Sequence, residues 1–357
     1  MRILRGPTNR QKKPSKSPVP ELIRKGIAPT RLHLVRSMRV IRLKCALKWR
    51  ILLFAGLAGV TASRAATDES QTSSSLIKVD GVELHYVVRG SGPPLVFIHG
   101  ALDDYRMWEA EMEPFGRYYR AIAYSRRYNF PNHNAAPVAD YSAIVDAEDV
   151  AGLIQSLKLG PVHLVAHSYG GYAALFLATR HPELVRSLVL AEPAVLSWAA
   201  DRPAGQPLFE SFMKMWQPVR EALQKGRDAQ ALEMTLEYFE GKGAFQRLPS
   251  SAQQVLRDNL EEWRALARSA NIFPPLPREQ VARIQVPTLL LTGARTLPIH
   301  QFIDAELQSL LPHASSVAIP QAGHEMWADN AEACRDATLK FLRDIDAGTP
   351  SSLPESR

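Results

Sequence analysis

Cysteine is scarce in this chain, with two residues, Cys45 and Cys334, among 357. They form no Cys-x-x-Cys pair, and the sequence has no His-Glu-x-x-His, no Gly-x-Gly-x-x-Gly and no phosphate-binding loop. The usual sequence signatures of a disulfide framework, a cysteine-ligated or zincin-type metal site and a nucleotide site are therefore missing. We expect no disulfide, no metal and no cofactor.

An apolar run of transmembrane length is also missing. The apolar run Ile51–Val60 has ten residues, or about 15 Å of helix, against a hydrocarbon core of about 30 Å. Basic residues between 39 and 50 precede it and Ser63-Arg64-Ala65 follows, an order typical of a secretory signal peptide. We expect a leader over residues 1–65 with the signal at 38–65, a periplasmic or secreted protein, and no stable membrane span in the mature chain.

Acidic residues are rare in that leader. Residues 1–65 hold sixteen Lys and Arg and one acid, whereas residues 66–357 hold 27 basic and 35 acidic residues. The formal net charge of +7 therefore belongs to the leader, and no nucleic-acid partner is expected of the mature chain. Residues 1–37 read as an over-extended start, with a basic nucleic-acid-binding arm or an organelle transit peptide as the alternatives.

The mature chain alternates short apolar strands with amphipathic helices. The sequence predicts a hairpin turning at Asp80-Gly81, and later apolar strands such as Leu95–Ile98 and Pro287–Leu291, with helices between them. This alternation predicts an α/β fold with a mostly parallel central sheet, helices on both faces, and ligands at the carboxyl ends of the strands.

One strand runs directly into a serine that is flanked by very small residues. Ser168 follows the apolar strand that begins at Val162, with Ala166 two residues before it and Gly170 two residues after it. A tight strand-to-helix turn that exposes a serine hydroxyl brings neighbouring segments so close that both positions must be small. The segment His99-Gly100 upstream and Gly323-His324 downstream complete a set of three motifs.

With these motifs in this order, the chain resembles the α/β-hydrolase superfamily from about residue 77 to about residue 342. The resemblance implies an α/β-hydrolase core over residues 66–195 and 286–345, a helical lid insertion over 196–285, and a flexible tail over 346–357. Three amphipathic helices are expected in the insertion, the first kinked or split at Pro218. We expect its side chains Phe212, Met213 and Trp216 to line an apolar acyl or aryl pocket.

The resemblance assigns Ser168 as nucleophile and His324 as its base, since a serine hydroxyl is almost wholly protonated at pH 7 and imidazole can take and return the proton. Many relatives place an aspartate where this chain has Thr296. Asp304 lies further along, in a predicted helix, and Glu192 stands at the tip of the strand ending in Leu190-Ala191. We expect Glu192 to be the acid.

The backbone N–H groups of Tyr169 and Ala101, with Leu102 as the alternative to Ala101, are the expected oxyanion-hole donors. We expect an exported serine hydrolase acting on a carboxylic ester or similar acyl group of a small apolar molecule. A hydrolase of carbon–carbon bonds and a non-catalytic ligand-binding relative are the alternatives, and the oligomeric state is left open.

Overall fold

The computed structural model describes residues 73–135 and 139–348. The predicted leader and signal peptide lie outside the described residues, as does most of the predicted tail. Among the residues that are described, no helix combines the length and the hydropathy that a bilayer crossing requires.

Eight strands form one sheet in the order β1-β2-β4-β3-β5-β6-β7-β8 within the described residues. Strands β1 and β2, and likewise β2 and β4, pair antiparallel, and all other neighbours are parallel. The predicted mostly parallel α/β sheet is therefore confirmed. The strands are β1 Ser73–Val79, β2 Val82–Arg89, β3 Pro94–Ile98, β4 Arg120–Tyr124, β5 Val162–His167, β6 Val185–Ala191, β7 Thr288–Gly293 and β8 Ala314–Ile319.

Helices cover both faces of this sheet. In β3, Val96 and Ile98 belong to one hydrophobic cluster together with side chains of the helices Ala143–Ser156 and Ser168–Arg180. Leu95 and Phe97 belong to a second cluster with side chains of the helices Glu109–Gly116 and Ala331–Asp346. This alternation follows from the two-residue period of a strand whose two faces are both buried. The helices are α1 Glu109–Gly116, α2 Ala143–Ser156, α3 Ser168–Arg180, α4 Ser197–Ala200, α5 Gln206–Gln224, α6 Asp228–Glu240, α7 Ala244–Arg247, α8 Ser250–Asp258, α9 Leu260–Arg268, α10 Arg278–Val281, α11 Pro298–Leu310, α12 Met326–Asp329 and α13 Ala331–Asp346.

The interval 196–285, described without a gap, is helical and contains α4 to α10 between β6 and β7. Pro218 lies inside a continuous α5, so of the two expected effects, a kink or a split, the split does not occur. A second detail differs from the sequence-based expectation. The third expected helix is divided into α8 and α9 at Asn259, whose buried side chain accepts from the N–H of Phe130 and donates to Asp104. Asn259 thus ties the insertion to the loops of the core.

Candidate active site

Ser168 lies at the turn from β5 into α3, with a φ of 50°. A positive φ is a strained conformation for a residue other than glycine, and such strain persists where the surrounding structure holds it. A Cβ on Gly170 would lie 2.4 Å from the carbonyl oxygen of His99, and one on Gly171 would lie 2.9 Å from Cβ of Pro193. The start of α3 therefore approaches β3 and the segment after β6 more closely than any side chain would allow.

The structure brings Ser168, His324 and Glu192 together. Nε2 of His324 lies 3.0 Å from Oγ of Ser168, and Nδ1 of His324 lies 2.6 Å from Oε2 of Glu192. Glu192 is fully buried, His324 is 5% exposed, and Ser168 is half-buried. A hydroxyl, an imidazole and a carboxylate thus form one hydrogen-bonded chain at the carboxyl ends of β5 and β6 and in the loop after β8.

Two further groups hold the carboxylate of Glu192. The backbone N–H of Gly293 donates to Oε1 and the hydroxyl of Thr296 donates to Oε2, each at 2.7 Å. Thr296, which occupies the place where many relatives carry the acid, therefore hydrogen-bonds the carboxylate of the residue that follows β6. Asp304 instead accepts from the hydroxyl of Thr292 on β7.

The surroundings of His324 favour its protonated form. Burial alone lowers the pKa of His324, but the hydrogen bond and the charge of Glu192, with smaller contributions from Glu325 and Glu240, raise it above the usual 6.5. The imidazolium that forms when His324 accepts a proton is therefore stabilised beside Ser168.

Two histidines that the motifs did not single out contact His324. His167 donates a hydrogen bond through Nε2 to the carbonyl oxygen of His324 at 2.9 Å. The ring of His300 stacks on that of His324, with centroids 4.1 Å apart and planes 15° apart. Burial lowers the pKa of both, so both stay neutral at neutral pH. His167 precedes the nucleophile in sequence, whereas His300, inside α11, has no local sequence signal.

These histidines also belong to the groups whose ligand atoms come within 4.8 Å of one another in the described part of the chain: His167, His324 and Glu325, and Glu192, His300 and His324. The rings of His300 and His324 are nearly parallel, so their in-plane lone pairs run side by side and do not converge on one point. The oxygens of Glu192 already accept three hydrogen bonds. Both oxygens of Glu192 are therefore already engaged by Gly293, Thr296 and His324, whereas the two ring nitrogens of His300 have no hydrogen-bond partner among the described residues.

The two segments that carry the predicted oxyanion donors both adjoin Ser168. Tyr169 is the second residue of α3, so its N–H has no acceptor within the helix. A Cβ on Gly100 would lie 3.4 Å from Cβ of Ser168, which places the loop after β3 directly against the serine. The N–H of Leu102 donates to Oε2 of Glu262 at 3.0 Å, and of the two alternatives only Ala101 keeps its N–H available within the described residues.

A cavity of about 430 Å³ opens onto Ser168 and His324. Phe212 and Trp216 line it as predicted, whereas Met213 does not. Most of its wall is apolar and comes from the helical insertion, including Leu236, Phe239, Val255, Leu256, Trp263 and Phe273. Four acidic side chains also line it: Asp103, Glu240, Glu325 and Asp329.

The comparisons with known proteins agree with this architecture. A sequence model of the alpha/beta hydrolase family matches residues 95–337, a span that includes Ser168, Glu192 and His324. Epoxide hydrolase 3 of Mus musculus is 24% identical over 282 residues, which cover 75% of this chain and 76% of that protein. The 2-(acetamidomethylene)succinate hydrolase of Mesorhizobium japonicum is 27% identical over 290 residues, which cover 77% of this chain and 95% of that protein.

Among solved structures, a carboxylesterase from Bacillus subtilis superposes with a TM-score of 0.62 at 22% sequence identity. The superposition covers 76% of this chain and 92% of the carboxylesterase chain. At this level of identity the superposition establishes the shared fold.

Proposed function

We propose that this chain, which belongs to the alpha/beta hydrolase family, is a serine hydrolase that cleaves a carboxylic ester, or a similarly activated acyl group, of a small and largely apolar molecule. The observation that carries the proposal is the hydrogen-bonded chain from Oγ of Ser168 through His324 to Glu192. The apolar cavity beside Oγ supports a substrate with an apolar acyl or aryl part.

In the reaction that these groups support, His324 takes the proton of Ser168 as Oγ attacks the carbonyl carbon. The imidazolium is stabilised by Glu192, and the N–H groups of Ala101 and Tyr169 stabilise the negative oxygen of the tetrahedral intermediate. His324 then gives its proton to the leaving alcohol, which leaves an acyl group on Ser168. A water molecule, deprotonated by His324, attacks this acyl group, the bond between the acyl carbon and Oγ breaks, and His324 returns the proton to Oγ of Ser168 as the acid is released.

The residue at position 168 argues against epoxide hydrolysis, the activity named for one relative. Opening an epoxide with a carboxylate gives an ester, which water can cleave. Opening it with the hydroxyl of Ser168 would give an ether, which neither His324 nor an activated water would break under these conditions. A serine at this position therefore favours acyl chemistry.

The acidic wall of the cavity argues against a substrate like that named for the relative from Mesorhizobium japonicum, since succinates are dicarboxylates. Glu325 and Asp329 would repel such an anion. Asp103 and Glu240 contribute less repulsion, because burial raises the pKa of Asp103 well above its usual range and also raises that of Glu240. Arg106, a cation of the same wall, is already paired with Asp104 and Asp258. A neutral ester suits this cavity better.

The test is steady-state hydrolysis of a series of p-nitrophenyl esters of increasing acyl length by the wild type and by Ser168→Ala. We expect the wild type to turn over at least one of these esters and Ser168→Ala to lower kcat by about 10⁴- to 10⁶-fold, with unchanged circular dichroism because alanine fits the turn. Esterase activity retained in Ser168→Ala would overturn the proposal. Turnover of a dienone ring-cleavage product but of no ester would favour the carbon–carbon bond alternative.

A non-catalytic ligand-binding relative is the other alternative. The threonine at position 296, where many relatives carry an aspartate, favours this alternative, but Glu192 lies 2.6 Å from His324 and supports a working triad.

We also propose that the protein is exported, on the basis of the basic segment, the apolar run and the Ser63-Arg64-Ala65 site. Protein recovered from its native host should begin near Ala66 in N-terminal sequencing. A mature protein that keeps Met1 or Met38 would contradict export.

A further inference from the structure

The loop between β3 and the 3₁₀ helix Tyr105–Trp108 is held from both sides by buried groups. The carbonyl oxygen of Gly100 accepts from Nη2 of Arg126 at 2.9 Å and lies 2.8 Å from Nδ1 of His99. Two residues later, the N–H of Leu102 donates to Oε2 of Glu262 at 3.0 Å.

The hydrogen bonds to the carbonyl oxygen of Gly100 set the direction of the N–H of Ala101. In a planar trans peptide the C=O and the N–H point in opposite directions. Because Arg126 and His99 hold the oxygen of the Gly100–Ala101 peptide on one side, the N–H of Ala101 is turned to the other. A rotation of this peptide would remove one of the two donors that the proposed oxyanion hole needs.

Arg126 and Glu262 form one buried unit across the core and the insertion. Both side chains are fully buried, and Nη2 of Arg126 lies 2.8 Å from Oε1 of Glu262. Nη1 of Arg126 also pairs with Asp146 at 2.6 Å. The backbone N–H of Arg126 donates to Nε2 of His99 at 3.0 Å, which fixes the backbone position of Arg126. Glu262 belongs to α9, 160 residues from Leu102 in sequence.

The loop needs such support, because Leu102 has a φ of 59°. A branched side chain rarely adopts this conformation, and the surrounding contacts must maintain it. Glu262 supplies the acceptor for the buried N–H of this same residue, which would otherwise have no partner.

We infer that Arg126 and Glu262 are positioning residues, which lock the Gly100–Ala101 peptide so that the N–H of Ala101 stays available to the oxyanion. The helical insertion thereby supports, through Glu262, the loop that carries one donor of the proposed oxyanion hole. This inference rests on the proposed serine hydrolase function.

The test compares Glu262→Met, which keeps the size but removes the acceptor and the charge, with the conservative Glu262→Gln, which keeps an acceptor oxygen for Leu102. Arg126→Lys tests the same unit from the core, because one ammonium cannot replace the forked guanidinium. Asp149→Asn is the matched control: it weakens another largely buried pair, with Arg127 at 2.6 Å, that does not contact the loop.

We expect Glu262→Met and Arg126→Lys to lower kcat by about 10²-fold, with little change in KM. Here kcat is expressed per active site, and the active sites are counted by titration with a fluorophosphonate. Inhibition by a trifluoromethyl ketone, whose adduct with Ser168 carries an oxyanion, should weaken by a similar factor. Glu262→Gln should recover most of both losses, and Asp149→Asn should lower Tm without affecting either. A lower Tm in Glu262→Met with unchanged kcat and unchanged inhibition would overturn the inference.

Amide hydrogen exchange of the peptide spanning residues 99–104 separates this inference from the proposed function. We expect faster exchange there in Glu262→Met than in wild type or in Asp149→Asn, whether or not an ester is found. If Glu262→Met does not fold, the same comparison is made with Arg126→Lys, while Glu262→Gln should exchange like wild type. Unchanged exchange in the folded variant, Glu262→Met or Arg126→Lys, would show that the buried unit does not hold the loop, whereas a wild type that cleaves no ester would count against the proposed function alone.

Discussion

Glu192 connects two parts of the site, because its carboxylate contacts His324 and is itself held by Gly293 and Thr296. Replacing it by glutamine keeps the shape but removes the charge that stabilises the imidazolium. We expect Glu192→Gln to lower kcat/KM by about 10³- to 10⁴-fold, measured on the best p-nitrophenyl ester, without loss of the folded circular dichroism spectrum.

Asp304→Asn is the control for this variant, since Asp304 is a second buried carboxyl near the same loop but bonds Thr292 and not His324. Burial raises its pKa well above the usual range, which favours the neutral form that the amide resembles, and we expect near-wild-type activity because this side chain does not contact His324. Strong loss in Asp304→Asn with normal activity in Glu192→Gln would mean that the acid has been misassigned.

The pH dependence of kcat/KM follows from the raised pKa of His324. His324 must be neutral to accept the proton of Ser168, so activity should fall as the pH drops through a pKa above 6.5. In Glu192→Gln the residual activity should fall at a lower pH, because the carboxylate that raises the pKa is gone and burial, which lowers it, remains. A pH profile with the same midpoint in both enzymes would contradict this role of Glu192.

The sequence predicted that Ser168, His324 and Glu192 come together, and the structure places them within hydrogen-bond distance, because all three lie at or just after the carboxyl ends of strands. It could not reveal that Thr296 supports Glu192, or that His300 stacks on His324. Both contacts depend on side-chain directions across separate elements, for which a single sequence carries no periodic signal.

Among the elements, the turn from β5 into α3 depends most on the size of one residue. A Cβ on Gly170 would lie 2.4 Å from the carbonyl oxygen of His99 and 2.7 Å from that of Ile98, at the end of β3. We expect Gly170→Ala to lower the free energy of unfolding by about 1–3 kcal/mol, as overpacking does, and to reduce kcat by displacing the turn. Urea denaturation and ester hydrolysis measure the two effects.

Gly323→Ala provides the matched control, as it lies beside His324 but its added Cβ would meet nothing closer than 3.6 Å. We expect wild-type stability or a slight gain in this variant. Equal losses of stability in the two variants would show that the close approach of α3 to β3 is not what requires a glycine.

The elements of the core could be predicted because each strand is a short apolar run bounded by turn residues, as the Asp80-Gly81 hairpin illustrates. The insertion was less predictable. Its apolar spacing continues through Asn259, yet the helix breaks there because the side chain bonds Asp104 and the backbone of Phe130. Periodicity reports which face is buried and does not report a long-range hydrogen bond that ends a helix.

For the whole molecule, the charges of the cavity predict which substrates are rejected. We expect kcat/KM for a p-nitrophenyl half-ester of a dicarboxylic acid to be at least about tenfold lower than for the neutral ester of the same length. The reason is that the carboxylate of the half-ester would be repelled by the acidic side chains of the cavity, whereas a neutral group would not. Added salt should narrow the difference. Glu325→Gln should narrow it too, and equal rates for both esters at low salt would count against this prediction.

The central claim is that Ser168 is an activated nucleophile, and covalent labelling tests it most directly. A fluorophosphonate should add to the wild type once, with the mass increase mapped by peptide mass spectrometry to the peptide containing Ser168. Labelling should be lost in Ser168→Ala and strongly slowed in Glu192→Gln. A folded wild type that is not labelled, or a label that maps elsewhere and survives in Ser168→Ala, would contradict the account.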